Sequence, residues 1–199
     1  MEEFAKKKNY RHGNVPNAMR AAAREILDED GSQAVGLREM ARRVGVSPTA
    51  AYRHFASRED LLASVAAEGF RELSAALEAV EGPDLLLGLG LAYVEFALQK
   101  RGLFRLMFGP ILAERAKHPH LNKAATEAFR ALEVAQSTDG HAGEVERDAL
   151  AAWGLIHGLS ALFIDGLVPE ERIPSMAERI LTASVAPKPA FALTTVAEN

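Results

Sequence analysis

An all-α fold divided into two parts is what this sequence predicts, and three features predict it. Apolar residues recur at the helical spacing i, i+3, i+4, i+7. No stretch alternates apolar and polar residues as a half-buried strand does, and none of the Asp-Gly pairs joins two such runs. Glycines, prolines and serines stand where one helix has to end and the next begin. With 199 residues the chain is long enough for one sizeable core or two small domains, and 48% hydrophobic with 25% charged residues is an ordinary globular balance.

Helix 1 is predicted over about 16–29, with Ala18, Ala22 and Ile26 on one face and Gly31 just past its end. Leu37, Met40, Ala41 and Val44 form the apolar stripe of helix 2. Gly45 stands at its end, because glycine enters the left-handed cap geometry without penalty. Ser47-Pro48 restarts the chain, the hydroxyl capping free N–H groups and the proline suiting a first helical turn. A helix of about two turns follows with Thr49, Ala50, Tyr52, Arg53 and His54. Ser57 caps helix 4, predicted over about 58–79 and closed by Glu81-Gly82-Pro83. Two helices joined by a tight glycine turn are the unit that sets its second helix in a DNA major groove.

Beyond residue 80 the pattern stays helical. Segments are predicted over about 84–100, 102–116, 121–136, 143–166 and 174–185, about nine helices in all. His118-Pro119-His120 reads as a turn, Thr138-Asp139-Gly140 closes the 121–136 segment, and Gly166 to Pro174 separates the last two helices. The expected division is a helix-turn-helix domain over 10–57, a connecting helix 4, an effector-binding and dimerisation domain over 80–186, and a loose tail over 187–199.

The run from Gly45-Val46-Ser47 through Tyr52-Arg53-His54-Phe55 to Leu61-Leu62, with a preceding helix and a basic residue at Arg58, resembles the TetR family of bacterial transcription regulators. The likeness covers residues 10–73. It implies three DNA-binding helices followed by a larger all-α domain that holds a small-molecule pocket. Further on, Trp153-Gly154-Leu155-Ile156-His157-Gly158 resembles the tryptophan–histidine–glycine signature of one TetR subgroup. One departure stands out: many members carry a threonine or serine where this chain has Gly36, leaving only a backbone N–H at the helix 2 N-terminus.

Phosphate contacts position a protein on DNA and base contacts specify the sequence. The resemblance implies phosphate contacts from Tyr52, His54 and Arg58. Arg38, Thr49 and Arg53 are the base-reading candidates, since arginine grips guanine bidentately and threonine offers a hydroxyl and a methyl to thymine. Pro48 and Ala50 offer apolar contacts, and Arg11, Gly36, Leu37 and Ser47 complete the expected DNA-binding set. Met40, Val44, Val46, Ala51 and Phe55 read as core, Tyr52 as packing residue or DNA ligand, and Arg42 and Arg43 as a solvated face.

The net charge of −4 looks wrong for a DNA binder until its distribution is examined. Residues 1–60 hold 11 Lys or Arg against 9 Asp or Glu, and the remainder 12 against 18. Lys6, Lys7, Lys8, Arg11 and His12 form a basic arm that can neutralise phosphates locally or stay a solvated terminus. There are no cysteines, which removes thiol chemistry and suits a reducing cytoplasm. No apolar signal-peptide core is visible, and the stretch closest to a membrane span in length, 149–168, is interrupted by His157, Asp165 and three glycines, so it reads as a helix buried in protein, with a transmembrane helix as a remote alternative, and no membrane partner is expected.

One recognition helix reads only a few base pairs, so the expected partner is a near-palindromic double-stranded operator bound by a homodimer. The dimer surface is expected on the last two long helices, where Gly154 and Gly158 either admit another helix closely or ease packing within one subunit. Phe96, Phe104, Met107, Phe108, Trp153 and His157 are the candidates to line a pocket for a largely apolar effector. Glu95 and Asp165 are the other polar groups inside the apolar runs. No cofactor or metal is expected: His118, His120 and the His141/Glu144 pair lack ligand spacing. No P-loop, nucleophile elbow or H-E-x-x-H occurs, and Gly88-Leu89-Gly90 lacks a third glycine and a preceding strand, so the chain does not read as an enzyme. A ligand-released repressor and an architectural or partner-gated DNA binder without an effector both stay open.

Overall fold

The computed structural model describes residues 14–134 and 142–185. The basic arm with Arg11, the Thr138-Asp139-Gly140 break, His141 and the tail from 187 lie outside the described residues. Those described form α1 (Val15–Glu29), α2 (Leu37–Val44), α3 (Pro48–Tyr52), α4 (Arg58–Glu78), α5 (Leu85–Gln99), α6 (Arg101–Met107), α7 (Pro110–Ala113), α8 (Pro119–Val134), α9 (Ala142–Ile164) and α10 (Ile173–Val185). There is no strand among them, and the fold is all-α with the helix-turn-helix at its N-terminal end. No helix among the described residues is long and apolar enough to cross a membrane.

Three local features differ from the expected pattern, each for a backbone reason. Gly31 stands just past α1 as expected, at φ +77°, but a 3-10 turn over Ser32–Ala34 that the pattern did not announce follows it. The segment expected as one helix near 102–116 is broken, because Pro110 has no N–H to give the preceding turn and its ring clashes there. Only the single-turn α7 and a 3-10 turn over Arg115–Lys117 follow. Pro119, expected within a turn, is the first residue of α8, and the His118 carbonyl accepts from the Asn122 N–H at 2.9 Å.

The chain forms two compact units, and their membership departs from a boundary near residue 80. One unit holds the described residues up to Ala75 together with Gln99–Ala131; the other holds Ala76–Leu98 and the described residues from Leu132 onward. In the first unit, Met19, Ile26, Met40, Leu61, Phe70 and Leu73 are fully packed. Helix α6 lies directly on α1: a Cβ at Gly102 would stand 2.3 Å from the Leu27 carbonyl oxygen, and the Gly102 N–H donates to Asp28 Oδ1 at 3.1 Å. Glycine is the residue that permits this approach. Phe70 meets Phe108 edge-on at 5.4 Å between ring centroids and Phe129 at 6.1 Å. Arg24 of α1 grips Glu72 of α4 with both terminal nitrogens, one at 2.8 Å, and Lys100 reaches the same carboxylate at 2.5 Å.

In the second unit, α5, α9 and α10 share a core of Leu89, Tyr93, Val94, Phe96, Ile156, Leu159, Phe163, Ile164, Ile173, Ala177 and Leu181. Leu181 and Ile156 close on Gly90, where a Cβ would meet Leu181 Cδ1 at 2.9 Å. Ser160, fully buried, satisfies its hydroxyl by donating to the Ile156 carbonyl at 2.9 Å.

Candidate nucleic-acid interface

The helix-turn-helix is held by three caps, each made by a residue of fitting chemistry. Gly45 adopts φ +75°, the Val46 N–H bonds the Ala41 carbonyl at 2.9 Å, and the Gly45 N–H bonds the Arg42 carbonyl at 3.3 Å. That pair of bonds satisfies the last carbonyls of α2. Ser47 Oγ accepts from the Ala50 N–H at 3.2 Å and starts α3. Ser57 Oγ accepts from the Asp60 N–H at 3.1 Å, while Asp60 Oδ2 accepts in return from the Ala56 N–H at 3.1 Å, a reciprocal box at the head of α4. Beneath these caps Met40, Ala51 and Phe55 are buried, as expected for core; Val44 and Val46 are half-buried.

Above that base stands a set of exposed donors. Arg38, Thr49 and Arg53 are exposed, and neither guanidinium has a partner among the described residues. Tyr52 is 51% exposed, unusually for a tyrosine, and His54 is exposed beside it. Arg42 and Arg43 differ from Arg38 and Arg53 because both are engaged by Glu39. Arg42 holds its carboxylate at 2.7 and 2.8 Å, and Arg43 Nε lies 3.1 Å away. Those hydrogen bonds pull the Glu39 carboxyl down to about 2. Pro48 and Ser47 are exposed and Ala50 and Gly36 half-exposed.

Two of the expected contact residues are committed inside the chain. Leu37 is 5% exposed and its side chain belongs to the core, leaving only its backbone N–H at the first turn of α2. Arg58 donates from Nε to the Val35 carbonyl at 2.8 Å and from a second nitrogen to the Ser32 carbonyl at 2.5 Å. Both contacts lie more than twenty residues away in sequence, out of reach of spacing arguments.

The six candidates for an effector pocket fall into the two units. Phe104, Met107 and Phe108 belong to the first, where Phe104 and Met107 are at most 2% exposed and Phe104 lies 4.7 Å from Phe108. Phe96, Trp153 and His157 belong to the second. There Trp153 and His157 meet a residue the sequence reasoning missed, Tyr93, which is 1% exposed. Trp153 Nε1–H donates to the Tyr93 hydroxyl at 3.3 Å, and that hydroxyl lies 3.1 Å from His157 Nδ1. Indole nitrogen is a donor only, so the tyrosine oxygen accepts from it, and the direction of the bond between that hydroxyl and Nδ1 follows the His157 tautomer. Burial raises the Tyr93 hydroxyl pKa and lowers that of the His157 ring. Glu95 and Asp165 are exposed. Among the described residues no group of three His, Cys, Asp or Glu is placed to hold a metal.

Comparison with known proteins agrees with this geometry along almost the whole described chain. Residues 20–65 match the model of the bacterial regulatory proteins of the tetR family, and residues 86–186 match the tetracyclin repressor-like C-terminal domain. The chain belongs to the TetR family. It is therefore a DNA-binding transcriptional regulator. A relative in Bacillus subtilis strain 168, the uncharacterized HTH-type transcriptional regulator YobS, is 29% identical over 87 residues, which are 42% of this chain and 46% of that protein. The match thus spans about half the length of that relative. A regulatory protein in the tetR family from Rhodococcus RHA1 is 25% identical, with a TM-score of 0.64 over 86% of this chain and 95% of that one. The Q116A form of TetR from Acinetobacter baumannii AYE, solved in complex with minocycline, is 22% identical, with a TM-score of 0.61 over 85% and 93%. In this TetR-family chain the C-terminal family match begins at 86, yet residues 99–131 pack within the same unit as the helix-turn-helix.

Proposed function

We propose that this TetR-family regulator is a repressor that binds a near-palindromic operator as a homodimer and is released by a small, largely apolar effector. What carries the DNA-binding part is the pair of exposed, unpartnered guanidiniums, Arg38 and Arg53, flanking Thr49 and Tyr52 on a firmly capped helix-turn-helix. Arg38, Thr49 and Arg53 read bases; Tyr52, His54 and the N–H groups of Gly36 and Leu37 seat phosphates; Arg58 positions the α2 N-terminus. Arg11 belongs to an arm that adds phosphate contacts.

The dimer surface is the outer face of α9. Leu150, Gly154, Gly158 and Leu162 follow one another four apart, Leu150 and Leu162 are 61% and 46% exposed, and a Cβ on either glycine would meet nothing within 4 Å. The glycines are therefore not required for packing within one subunit, which favours close approach by a second helix. The effector site is centred on Tyr93, Trp153 and His157 with Phe96 beside them, while Phe104 and Met107 serve as core. Aromatic side chains with a few placed hydrogen-bonding groups suit a hydrophobic ligand carrying one or two polar atoms. The same fold holds minocycline in the Acinetobacter protein. Binding there shifts the balance between two spacings of the DNA-reading heads by the effector's differential affinity for them. The protein acts in the cytoplasm, where its operator lies.

The test is a titration of the purified protein against DNA from just upstream of its own gene, at several salt concentrations, with random DNA as control. Tight binding to that fragment alone, at two protomers per operator, is the expected result. A steep salt slope with no preference would leave phosphate-driven contact only and favour an architectural role.

A further inference from the structure

Beside the DNA-reading face, with which it shares only His54, the first unit contains a polar cleft of about 400 Å³ whose walls come from α1, the residues just after α3, α4 and the start of α8. Arg20, His54, Asp60, Glu68, Arg71 and His120 line it. Its two acids are already engaged. Glu68 is ion-paired with Arg20. Asp60 accepts from the Ala56 N–H, and His118 Nδ1 stands 4.0 Å from its other oxygen. Three groups are left over: the Arg71 and His54 side chains have no partner among the described residues, and His120 Nε2 is buried there without a hydrogen bond. Buried polar atoms are almost always paired, and an exception calls for a ligand, ion or water. A planar guanidinium fork beside an imidazole nitrogen is a match for a carboxylate or phosphate. The volume suits a metabolite-sized molecule rather than a bare ion.

We propose that this cleft is a second ligand site, which takes a small anionic metabolite and holds its carboxylate or phosphate group between Arg71 and His120. The site is separate from the Tyr93 cluster and does not depend on the effector reading. Burial lowers the His120 pKa, Asp60 opposes that shift, and His118, Arg71 and Arg20 add to it; an anion seated between Arg71 and His120 works against it. Because His54 forms one wall just beyond α3, an occupant also touches a residue of the DNA-reading face.

The experiment follows the imidazole resonances of the full-length protein by NMR while citrate or inorganic phosphate is added at constant ionic strength, with chloride as control. Saturable shifts of His120 with one of the two anions are expected, with its pKa moving up on binding. Which anion saturates tells carboxylate from phosphate chemistry. Arg71→Gln, at an exposed position, should keep its melting temperature and weaken binding by about tenfold. Shifts no larger than those with chloride, or unchanged affinity in Arg71→Gln, would overturn the proposal. So would a lack of anion binding together with an operator salt slope reduced by about one in Arg71→Gln, which would seat a DNA phosphate there instead.

Discussion

Arg58, the first residue of α4, bridges back to Val35, whose carbonyl oxygen accepts from its Nε at 2.8 Å. A second nitrogen holds the Ser32 carbonyl at 2.5 Å, so one guanidinium closes the turn that leads into α2. The clasp fixes the α2 N-terminus, where Gly36 and Leu37 present backbone N–H groups. Hydrogen bonds from a charged donor contribute about 1.5–3 kcal/mol each. Arg58→Gln is expected to lower the melting temperature and weaken operator binding by about tenfold or more, yet leave the slope of log affinity against log salt unchanged. Arg58→Lys, which keeps the charge and loses the fork, should behave nearly as badly. A slope reduced by about one would restore Arg58 to the phosphate contacts that its place in the motif implied.

Gly102 and Gly154 are both helical glycines with opposite surroundings. A Cβ at Gly102 would meet a backbone oxygen at 2.3 Å, which no side-chain rotation can relieve. Gly102→Ala is expected to cost about 1–3 kcal/mol of stability. Gly154 has nothing within 4 Å, and alanine there should stabilise the isolated helix by about 0.5–1 kcal/mol. Thermal melts at a protein concentration low enough to keep the chain monomeric test the contrast, and equal effects at both positions would contradict it.

Much of the helix-turn-helix could be read before any coordinates, because its signals are local. Gly45, Ser47 and Ser57 cap within four residues of themselves, and the stripe of Met40 and Ala41 needs only helical spacing. What escaped is set at long range. The Arg58 clasp spans 23 residues, and the Tyr93 contacts to Trp153 and His157 span 60 and 64. No periodicity distinguishes Tyr93 from the apolar residues around it in α5. Residues 99–131 join the DNA-binding unit because Gly102 fits the backbone of α1 and Met107 fits against Gly69, where a Cβ would meet its sulfur at 2.5 Å. Both are steric matches that a linear pattern does not encode.

Glu72 is the acid whose charge supports the first unit. Arg24 and then Lys100 hydrogen-bond it and hold its carboxyl at about 2, against an ordinary 4.5. A folded pKa below the unfolded one gives stability that is present above about pH 4.5 and fades as pH falls toward about 2. The group is about one-third exposed, so the contribution discounts to about 1–2 kcal/mol. Glu72→Gln should lower stability by that amount at neutral pH, and the gap to the parent should close by about pH 2. Denaturant melts across that range check it; a pH-independent gap would mean shape, not charge, is what matters.

If the outer face of α9 is the dimer contact, a large charge at Gly158 should separate the subunits. The glycine has open space around it, so Gly158→Glu is expected to leave the helix content unchanged. Burying an unpaired carboxylate at a helix–helix contact is costly. Sedimentation should show a shift from dimer to monomer, with loss of cooperative operator binding. A variant that still sediments as a dimer would move the interface off this face.

Trp153 is the one tryptophan in the chain, so its fluorescence reports directly on the Tyr93 cluster. The His157 ring lies 5.6 Å from the indole, close enough for an imidazolium to quench its emission when the ring protonates. Burial lowers the His157 pKa below its ordinary 6.5, so emission should fall with a midpoint under that value as the pH drops. The Tyr93 hydroxyl accepts from the indole and lies 3.1 Å from Nδ1, so it joins the two rings in one cluster. Tyr93→Phe keeps the ring buried and should leave the midpoint below 6.5, while His157→Asn should abolish the transition. An effector that seats among these three residues will change the emission at fixed pH in the parent and less in Tyr93→Phe. A midpoint at or above 6.5 in Tyr93→Phe would mean that the tyrosine hydroxyl, and not burial, keeps the ring neutral.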